Sequence, residues 1–281
     1  MNILVLGGNG MLGHRLALTL QEQGHQVLAT ERSSVAFRRL TVPTCFGVQA
    51  TVASLEPVIR DCEPDVVVNC IGVVKQRLAI HDTQTIAINA LWPHQLYELC
   101  RHARARLIHI STDCVFSGLK GYYNETDIPD PVDLYGRSKL LGEVFGKDCL
   151  TLRTSIIGLE LSRSTGLIEW FLSREGTVRG FTQAIYSGLT TSELSRLIAQ
   201  VIVEHQGLCG VWHVASAPID KYSLLVDLSR KLSAGVIIHP DDSVVCDRSL
   251  SAEAFQTKTG YEPPDWDTML TELAGLIQAR S

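Results

Sequence analysis

A glycine-rich turn near the start of the chain constrains the fold more than any other feature. The apolar run Asn2–Leu6 leads directly into Gly7, Gly10 and Gly13, and an amphipathic helical pattern follows over residues 11–23. Short apolar runs then alternate with helical patterns through roughly the first half of the chain. This alternation predicts right-handed βαβ crossovers and a parallel sheet with helices on both faces.

The second half of the sequence is less regular, which indicates a smaller lobe interleaved with the first domain. We predict a Rossmann domain over residues 1–157, with a helix within 189–206 that returns to it. Residues 158–188 and 207–281 are expected to form the smaller lobe and to bind substrate. The predicted fold class is therefore α/β, a Rossmann-type doubly wound parallel sheet with a small interleaved C-terminal α+β substrate lobe.

Composition excludes several classes of protein. Apolar residues make up 45% of the chain and charged residues 20%, which is typical of a globular protein and not of a disordered one. The net charge of −5 argues against nucleic acid as the main ligand, because phosphate backbones require a clustered basic surface. No apolar run is long enough to cross a membrane. We therefore expect neither a nucleic-acid nor a membrane partner.

The eight cysteines are scattered, with no C-x-x-C pair and no metal-ligand spacing. Several lie inside apolar runs, so we interpret all of them as buried free thiols of a protein in the reducing cytoplasm. No metal site is predicted, and a cation would bind only loosely at a phosphate. The nine histidines are interpreted as structural or solvated.

The glycine turn has the form of a dinucleotide site. A turn that opens a helix directs backbone N–H groups and the positive helix end toward a pyrophosphate. Gly7 permits the tight turn, Gly10 lets phosphates approach the backbone, and Gly13 lets helix and strand pack closely. The predicted cofactor contacts in this segment are Gly7, Asn9, Gly10, Met11, Leu12 and Gly13.

The end of the second strand bears on the choice of dinucleotide. An acid at this point binds the adenosine ribose and favours NAD, whereas a cation pairs with a 2′-phosphate and favours NADP. Glu31 and Arg32 are adjacent, so the chain offers both. Arg32 and Ser33 together could hold a phosphate. We expect NADP as the cofactor, with NAD as the alternative.

A second strand end is expected to lie beneath the middle of the cofactor. The unbroken valine run 66–68 predicts a fully buried strand, and it leads into Asn69, Cys70, Ile71 and Gly72. Gly72 would permit a close approach of the backbone to the ligand. We therefore add these four residues to the predicted cofactor site, with a merely polar strand end as the alternative.

The chemistry is predicted from a tyrosine and a lysine four residues apart. Tyr135 and Lys139 lie on one face of a predicted helix, and a phenol with a pKa of about 10 needs a nearby positive charge for acid–base work. Ser111 and Thr112 end a buried strand, at the sheet edge where ligands bind. We assign Thr112 to hold the substrate oxygen while Tyr135 protonates it, with Ser111 facing the sheet.

These motifs resemble those of the extended short-chain dehydrogenase/reductases. Within that family the midchain pattern looks like the dTDP-4-dehydrorhamnose reductase branch, whose members reduce 4-keto-6-deoxy sugar nucleotides. The resemblance covers most of residues 1–160 and only the outline of the rest. The matching segments are Gly7-x-x-Gly10-x-x-Gly13, Asn69 with Gly72, Ser111-Thr112-Asp113-x-Val115-Phe116-x-Gly118, and Tyr135-x-x-x-Lys139-x-x-x-Glu143.

The resemblance implies NAD(P)H-dependent reduction of a 4-keto nucleotide-diphosphate sugar for cell-surface polysaccharide biosynthesis. The nicotinamide would give its hydride to C4, Thr112 would hold the carbonyl oxygen, and Tyr135 would protonate it. Lys139 would bind the nicotinamide ribose and keep Tyr135 acidic. The resemblance also implies cofactor contacts for Ser111, Tyr135 and Lys139, and it places Asn89 behind the site as a support for Lys139. Helices 83–103 and 134–145 are those that form homodimer faces in such folds.

The substrate residues are the least specific part of the prediction. Arg179 and Arg248 are candidates for the diphosphate, because a guanidinium binds phosphate in a bidentate manner. Trp170 and Tyr186 could stack on a nucleobase or line the sugar pocket, or they could belong to the lobe core. Lys75 is either a phosphate contact or an exposed loop charge. The full predicted set is Lys75, Thr112, Asp113, Val115, Trp170, Arg179, Tyr186 and Arg248.

Two other functions fit the same fold. The first is a nucleotide-sugar epimerase or dehydratase, although dehydratases place an Asp-Glu pair after the catalytic hydroxyl and here only Asp113 follows Thr112. The second is a non-catalytic NADP-binding regulatory subunit, such as the β subunit of methionine adenosyltransferase. The intact set of Thr112, Tyr135 and Lys139 argues against a regulatory role.

Overall fold

The computed structural model describes residues 1–32, 42–74, 83–161 and 166–280. Two predicted contacts, Ser33 and Lys75, lie outside these residues. The central sheet has seven strands, and every neighbouring pair is parallel. In chain order its strands are β1 (Asn2–Leu6), β2 (Gln26–Glu31), β3 (Thr44–Phe46), β4 (Val66–Asn69), β5 (Arg106–Ile110), β6 (Cys149–Arg153) and β11 (Gly210–His213).

Helices cover both faces of this sheet and continue through the second half. They are α1 (Met11–Glu22), α2 (Val52–Cys62), α3 (Thr83–Ile86), α4 (Trp92–Ala103), α5 (Leu134–Leu141), α6 (Leu167–Leu172), α7 (Thr191–Glu204), α8 (Lys221–Leu232), α9 (Glu253–Thr259) and α10 (Trp266–Arg280).

The strand order in space is β11-β6-β5-β4-β1-β2-β3, which is the doubly wound arrangement with one added edge strand. The chain moves outward from β1 to β3 and then crosses to β4 on the other side. The crevice between the ends of β1 and β4 is therefore the topological switch point, where open α/β sheets bind ligands. The predicted α/β fold class is confirmed.

Alternation along β1 shows how both faces become buried. Ile3 and Val5 join a core cluster with residues of α1, α7 and α10, whereas Leu4 and Leu6 join a second cluster with residues of α2 and α4. Successive side chains of a strand point to opposite faces. An uninterrupted apolar strand is therefore stable only with helices on both sides.

One strand departs from the predicted division of the chain. Residues 207–281 were assigned wholly to the smaller lobe, but β11 pairs in parallel with β6, with Gly210 opposite Leu150 and His213 opposite Arg153. A four-residue strand carries no signal that identifies its partner, so the sequence pattern could not reveal this pairing. The division into two domains otherwise remains a prediction.

The rest of the second half contains three small sheets. Two are parallel pairs, β13 with β8 and β10 with β7, and the third has the order β12-β9-β14. Most of these strands were not predicted, and five of the seven have only two or three residues, which is too short to show a periodicity. Their bounds are β7 (Ile156–Ile157), β8 (Thr177–Phe181), β9 (Ala184–Tyr186), β10 (Leu189–Thr190), β12 (Ile219–Asp220), β13 (Ile237–Asp241) and β14 (Cys246–Asp247).

The helix expected over residues 83–103 is interrupted just before Trp92 and Pro93. A π-helical turn, Ala87–Leu91, separates α3 from α4. Pro93 has no N–H to donate to the carbonyl of Asn89, so the regular ladder cannot continue through this point. Gly142 packs against that carbonyl so closely that a Cβ would overlap it. The turn thus brings the end of α5 against the interrupted helix.

Two further findings concern the chain as a whole. No helix in the described residues is long and apolar enough to cross a membrane. All eight cysteines are free thiols, but only Cys100 and Cys149 are buried, and Cys209 is exposed. The other five are partly buried. The expectation that all eight are buried was therefore wrong.

Candidate active site

The glycine turn lies where the ends of β1, β2 and β4 meet. Gly7 has a φ of +79°, and a Cβ there would come within 3.3 Å of the Cys70 carbonyl and 3.2 Å of the Ile71 side chain. The Gly8 amide donates to the Thr30 carbonyl over 2.9 Å. These contacts place the turn at the switch point of the sheet, so its φ and its close packing both require glycine.

The turn forms a cradle that matches a pyrophosphate. Gly10 caps α1 in extended conformation, and a Cβ on Gly13 would overlap the Gly7 carbonyl. The first amides of a helix have no intrahelical acceptor, so those at the start of α1 are available to an anion. The Leu12 side chain is buried in the core, which leaves only its backbone for a ligand. Asn9 and Met11 are half-buried at the turn.

The end of β4 is shaped by an internal hydrogen-bond pair. The Asn69 amide Nδ2 donates to His109 Nδ1 over 3.1 Å, and its Oδ1 accepts from the Ile71 amide over 3.2 Å. Both ends of the side chain are thus engaged within the fold. Cys70 and Ile71 are half-buried and Gly72 is exposed, so the backbone after Asn69 is the part that a ligand can reach.

Asn89 connects this loop to the helix that carries the tyrosine and lysine. Its Oδ1 accepts from the Val73 amide over 2.8 Å, and its Nδ2 donates to the Val73 carbonyl and to Ser138 Oγ over 2.9 and 3.2 Å. The residue is buried within the π-helical turn. Its direct contacts are thus with Val73 and Ser138, and its support of Lys139 remains a prediction.

Helix α5 is held against the end of β5. Asp133 caps it by accepting from the Gly136 amide over 2.8 Å, and a Cβ on Gly136 would overlap the Cys114 carbonyl. Only a glycine allows this approach. It brings the Tyr135 phenol close enough to Thr112 for the threonine hydroxyl to influence the pKa of the phenol. The two hydroxyls predicted to share a substrate oxygen are thus neighbours at one edge of the sheet.

The electrostatics of Tyr135 differ from the sequence-based expectation. Burial raises the pKa of its phenol above the usual value, and the hydrogen bond with Thr112 opposes that rise only in part. Lys139 does not act on the phenol in this structure. Its ammonium instead donates to the Ile110 carbonyl over 2.6 Å. The expectation that Lys139 lowers the pKa of Tyr135 is therefore not met here, because the ammonium is directed at the strand.

The pKa of Lys139 is itself shifted from its usual value. The side chain is 4% exposed, and burial lowers its pKa to about 8, while the charge of Glu143 and the Cys70 thiol raise it. Cys70 is in turn influenced by the charge of Lys139. This mutual influence places the ammonium between the end of β4 and the end of β5, next to the glycine turn.

A buried charge network supports this edge from beneath. Arg153 donates through Nε and Nη2 to the two oxygens of Glu143 over 2.8 and 2.7 Å, and Ser111 Oγ donates to Glu143 over 2.7 Å. Arg153 also donates to His213 Nε2 over 3.3 Å. Burial, followed by the charge of Arg153, lowers the pKa of His213 to about 4, so its imidazole stays neutral and can accept.

The Ser111 hydroxyl thus faces the interior, as predicted, and only its backbone remains for the predicted cofactor contact. Arg153 and His213 were not predicted to take part in this network. The one available signal was Glu143, which lies four residues after Lys139 on the same side of the helix. The pairing with Arg153 joins α5 to β6 and is a tertiary contact.

Asp113 lies next to the two hydroxyls. It is 6% exposed and accepts from Thr112 Oγ1 over 3.1 Å. Burial raises the pKa of its carboxyl, and hydrogen bonds together with the charge of Arg248 oppose the rise. Tyr186 is also buried, and its hydroxyl has no hydrogen-bond partner among the described residues. Burial, followed by the charge of Asp113, raises the pKa of Tyr186. Two predicted substrate residues therefore lie near Thr112.

The other predicted substrate residues have structural contacts. Arg248 donates to the Phe116 and Ser117 carbonyls over 2.9 and 3.3 Å and so holds the turn that follows Thr112. Val115 is fully buried in a third core cluster, so only its backbone is left for the predicted substrate contact. The β-branched side chain packs inward from the short 3₁₀ turn that Thr112 caps.

Trp170 and Arg179 also contact other parts of the protein. Trp170 packs against the main core with the Arg174 guanidinium 5.2 Å above its ring, which matches the lobe-core alternative. Arg179 extends from β8 to Asp241 at 3.1 Å, with 74% of its side chain exposed. Neither residue has a contact that draws it toward Tyr135.

Comparison with known proteins agrees with this geometry. The family model described as the RmlD substrate binding domain matches residues 1–224. The chain belongs to this family. It is 31% identical over 233 residues to the probable low-salt glycan biosynthesis reductase of Haloferax volcanii, covering 77% of this chain and 75% of that protein.

Two further relatives extend over nearly the whole chain. The dTDP-4-dehydrorhamnose reductase of Aggregatibacter actinomycetemcomitans is 25% identical over 298 aligned positions, covering 96% of this chain and 97% of that protein. The crystal structure of the Bacillus anthracis dTDP-4-dehydrorhamnose reductase in complex with NADP has a TM-score of 0.82 and 18% identity, covering 99% of each chain. The latter similarity establishes the fold for this RmlD family member.

Proposed function

We propose that this protein reduces a 4-keto-6-deoxy nucleotide-diphosphate sugar with NADPH or NADH, as a step in cell-surface polysaccharide biosynthesis. The observation that carries the proposal is the meeting of the Thr112 and Tyr135 hydroxyls beside buried Lys139, at the sheet edge that holds the glycine turn. Membership in the RmlD family and relatives named as dTDP-4-dehydrorhamnose reductases support the substrate class.

The glycine turn would hold the cofactor. The cradle of Gly7, Gly10 and Gly13 has no room for side chains and matches the pyrophosphate, while the backbone from Cys70 to Gly72 would lie beneath the nicotinamide half. When bound, the reduced nicotinamide supplies a hydride to the carbonyl carbon. Lys139 is positioned to bind its ribose, since the ammonium lies next to Cys70.

The protein's own groups act on the carbonyl oxygen. Thr112 would hold this oxygen by a hydrogen bond, and Tyr135 would donate its proton as negative charge develops there. The phenol keeps its proton at neutral pH, as a general acid must, but its raised pKa makes it a weak acid until a positive charge stabilises the phenolate. Proton transfer would leave a phenolate on Tyr135. The Lys139 ammonium, which in this structure donates to the Ile110 carbonyl, would stabilise that phenolate after turning toward it.

The smaller lobe would complete the binding site for the substrate. Asp113 and Tyr186 would meet the sugar beside Thr112, and Arg248 holds the turn that follows Asp113. A buried phenol without a partner is costly, so a substrate hydroxyl that pairs with Tyr186 would recover that cost. We infer a reducing cytoplasm as the compartment, which suits eight free thiols.

A panel of keto sugar nucleotides tests the proposal. Purified protein is mixed with dTDP- and UDP-linked 4-keto-6-deoxy sugars and with each reduced nicotinamide, and the loss of nicotinamide absorbance is followed. We expect consumption with at least one 4-keto sugar and none with the matching 4-hydroxy sugar. Tight cofactor binding without turnover on any sugar would favour a regulatory subunit instead.

The face formed by the interrupted helix and α5 would join two copies of the chain. Ile86, Leu91, Leu141 and Phe145 are 49, 54, 68 and 71% exposed, and the bond between His94 and the Leu141 carbonyl brings the two helices together there. We expect a dimer by sedimentation velocity and a monomer for Leu91→Asp. Leu119→Asp, at a residue that is 90% exposed, is the control and should stay dimeric. A monomeric wild type would contradict the inference.

A further inference from the structure

A cleft lies at the edge of the central sheet where the strands begin. Its volume is about 470 Å³, which is within the range of sites for small molecules. Asp65 precedes β4, Arg106 begins β5 and Asp148 precedes β6, and all three line the cleft. Thr112 follows the other end of β5, so the cleft is at the opposite edge of the sheet from the candidate active site.

The side chains that line the cleft carry an excess of positive charge. Four of them are cationic and two are acidic, although the chain as a whole has a net charge of −5. A concave surface with an excess of one sign of charge attracts ligands of the opposite sign. The cationic side chains are Arg101, Arg104, Arg106 and Lys147, and the acidic ones are Asp65 and Asp148.

Two of the arginines have contacts within the fold. Arg106 donates to the Val201 and Leu208 carbonyls over 3.2 and 2.7 Å, and so covers the C-terminal end of α7. Arg101 donates to both oxygens of Glu98 over 3.0 and 2.8 Å, but it does so through Nη1 alone. Its other nitrogen donors are therefore left for a ligand.

Arg104 and Lys147 have no such contacts. Both residues are exposed, and neither side chain has a hydrogen bond or an ion pair within residues 1–32, 42–74, 83–161 and 166–280. Asp65, in contrast, is engaged within the fold, since its Oδ2 accepts from the Asn2 amide over 2.8 Å. Cations that line one cleft repel each other, and an anion that binds between them relieves this repulsion.

We propose that this cleft is a second binding site, for a small molecule that carries a phosphate or diphosphate group. Guanidinium groups bind phosphate oxygens in a bidentate manner, and the lysine adds a point charge. Arg101, Arg104 and Lys147 together can neutralise a group with two or three negative charges, which a single carboxylate does not have. The site uses none of the residues assigned to catalysis or to the nicotinamide cofactor.

Calorimetric titration with inorganic pyrophosphate tests the proposal. Pyrophosphate could also bind at the glycine turn, so the cleft is identified by comparing variants. Arg104→Gln combined with Lys147→Gln should weaken binding at the cleft by about tenfold or more, the effect of losing one hydrogen bond between charged groups. Arg230→Gln combined with Lys258→Gln is the matched control, because it removes one exposed arginine from α8 and one exposed lysine from α9. It should bind pyrophosphate as the wild type does.

Acetylation of lysines in the wild-type protein gives a readout that does not depend on the folding of a variant. Lys147 and Lys258 are both exposed, so a dilute acetylating reagent should reach both, and peptide mass spectrometry measures each rate. Pyrophosphate at ten times its Kd should slow the acetylation of Lys147 by about tenfold, because only the unbound fraction reacts. The rate at Lys258 should not change.

Three results would overturn the inference. The first is equal pyrophosphate affinity in the wild type and in the variant that lacks both Arg104 and Lys147, which would place the anion elsewhere. The second is equal weakening in both double variants, which would show a response to net charge alone. The third is an unchanged acetylation rate at Lys147 when pyrophosphate is present. The proposed reductase would stand in each case, because the cleft and the candidate active site share no residue.

Discussion

Tyr135→Phe is expected to lower turnover by about 10²- to 10⁴-fold, the usual contribution of a general acid. The variant removes only the phenolic oxygen, and the Asp133 cap that begins α5 is left in place. The affinity for the nucleotide should stay close to that of the wild type, because the glycine turn is unchanged. Steady-state rates with the active keto sugar, together with nucleotide titration, measure both quantities.

Tyr122→Phe is the matched control for this change. Tyr122 is 52% exposed, and its hydroxyl donates to Glu253 at the surface. Its loss should leave both turnover and binding unchanged. If Tyr135→Phe retains near-native rates, the proton reaches the substrate oxygen from another group and the acid assignment is wrong.

Arg153→Met should lower the free energy of unfolding by about 3–5 kcal/mol, because it leaves a buried carboxylate without its partner. The side chains of Arg153 and Glu143 are 6 and 1% exposed, and two hydrogen bonds join them. Methionine keeps much of the volume but supplies neither the charge nor the donors. Urea-induced unfolding followed by circular dichroism measures the change.

Two further variants separate this effect from general damage. Arg60→Met removes a cation from a pair whose side chains are 72 and 71% exposed, and it should change stability little, since exposed ion pairs contribute little. Adding Glu143→Leu to Arg153→Met removes the stranded charge and should restore part of the loss. A cost for Arg153→Met no larger than that for Arg60→Met would show that the network is not buried as described.

Several parts of the site were predictable because their signals are local. The turn has a φ of +79° at Gly7 and close packing at Gly13. Only glycine meets either requirement, so both positions are visible in the sequence directly after a strand. The pair Tyr135 and Lys139 is defined by helical spacing. The interruption before Pro93 follows from the missing N–H of proline.

Other parts were not predictable, for an equally physical reason. Val115 belongs to the same motif as Thr112, yet one side chain enters the core and the other reaches the site, which depends on the direction of a 3₁₀ turn. The direction of the Lys139 ammonium depends on the Ile110 carbonyl. The burial of Glu31 depends on packing between β1, β2 and the segment at Val48.

The amino-acid sequence alone determined the strand–turn–helix order, the glycine cradle and the spacing of the tyrosine and lysine, since each depends on residues that are near one another in the chain. Only the tertiary structure decided that β11 joins the central sheet and that Glu143 pairs with Arg153. It also decided that the Glu31 carboxylate is buried without a hydrogen-bond partner among the described residues. These features arise where distant segments exclude water from each other. Burial of this kind sets the pKa of a group and its need for a partner, and no local pattern encodes it.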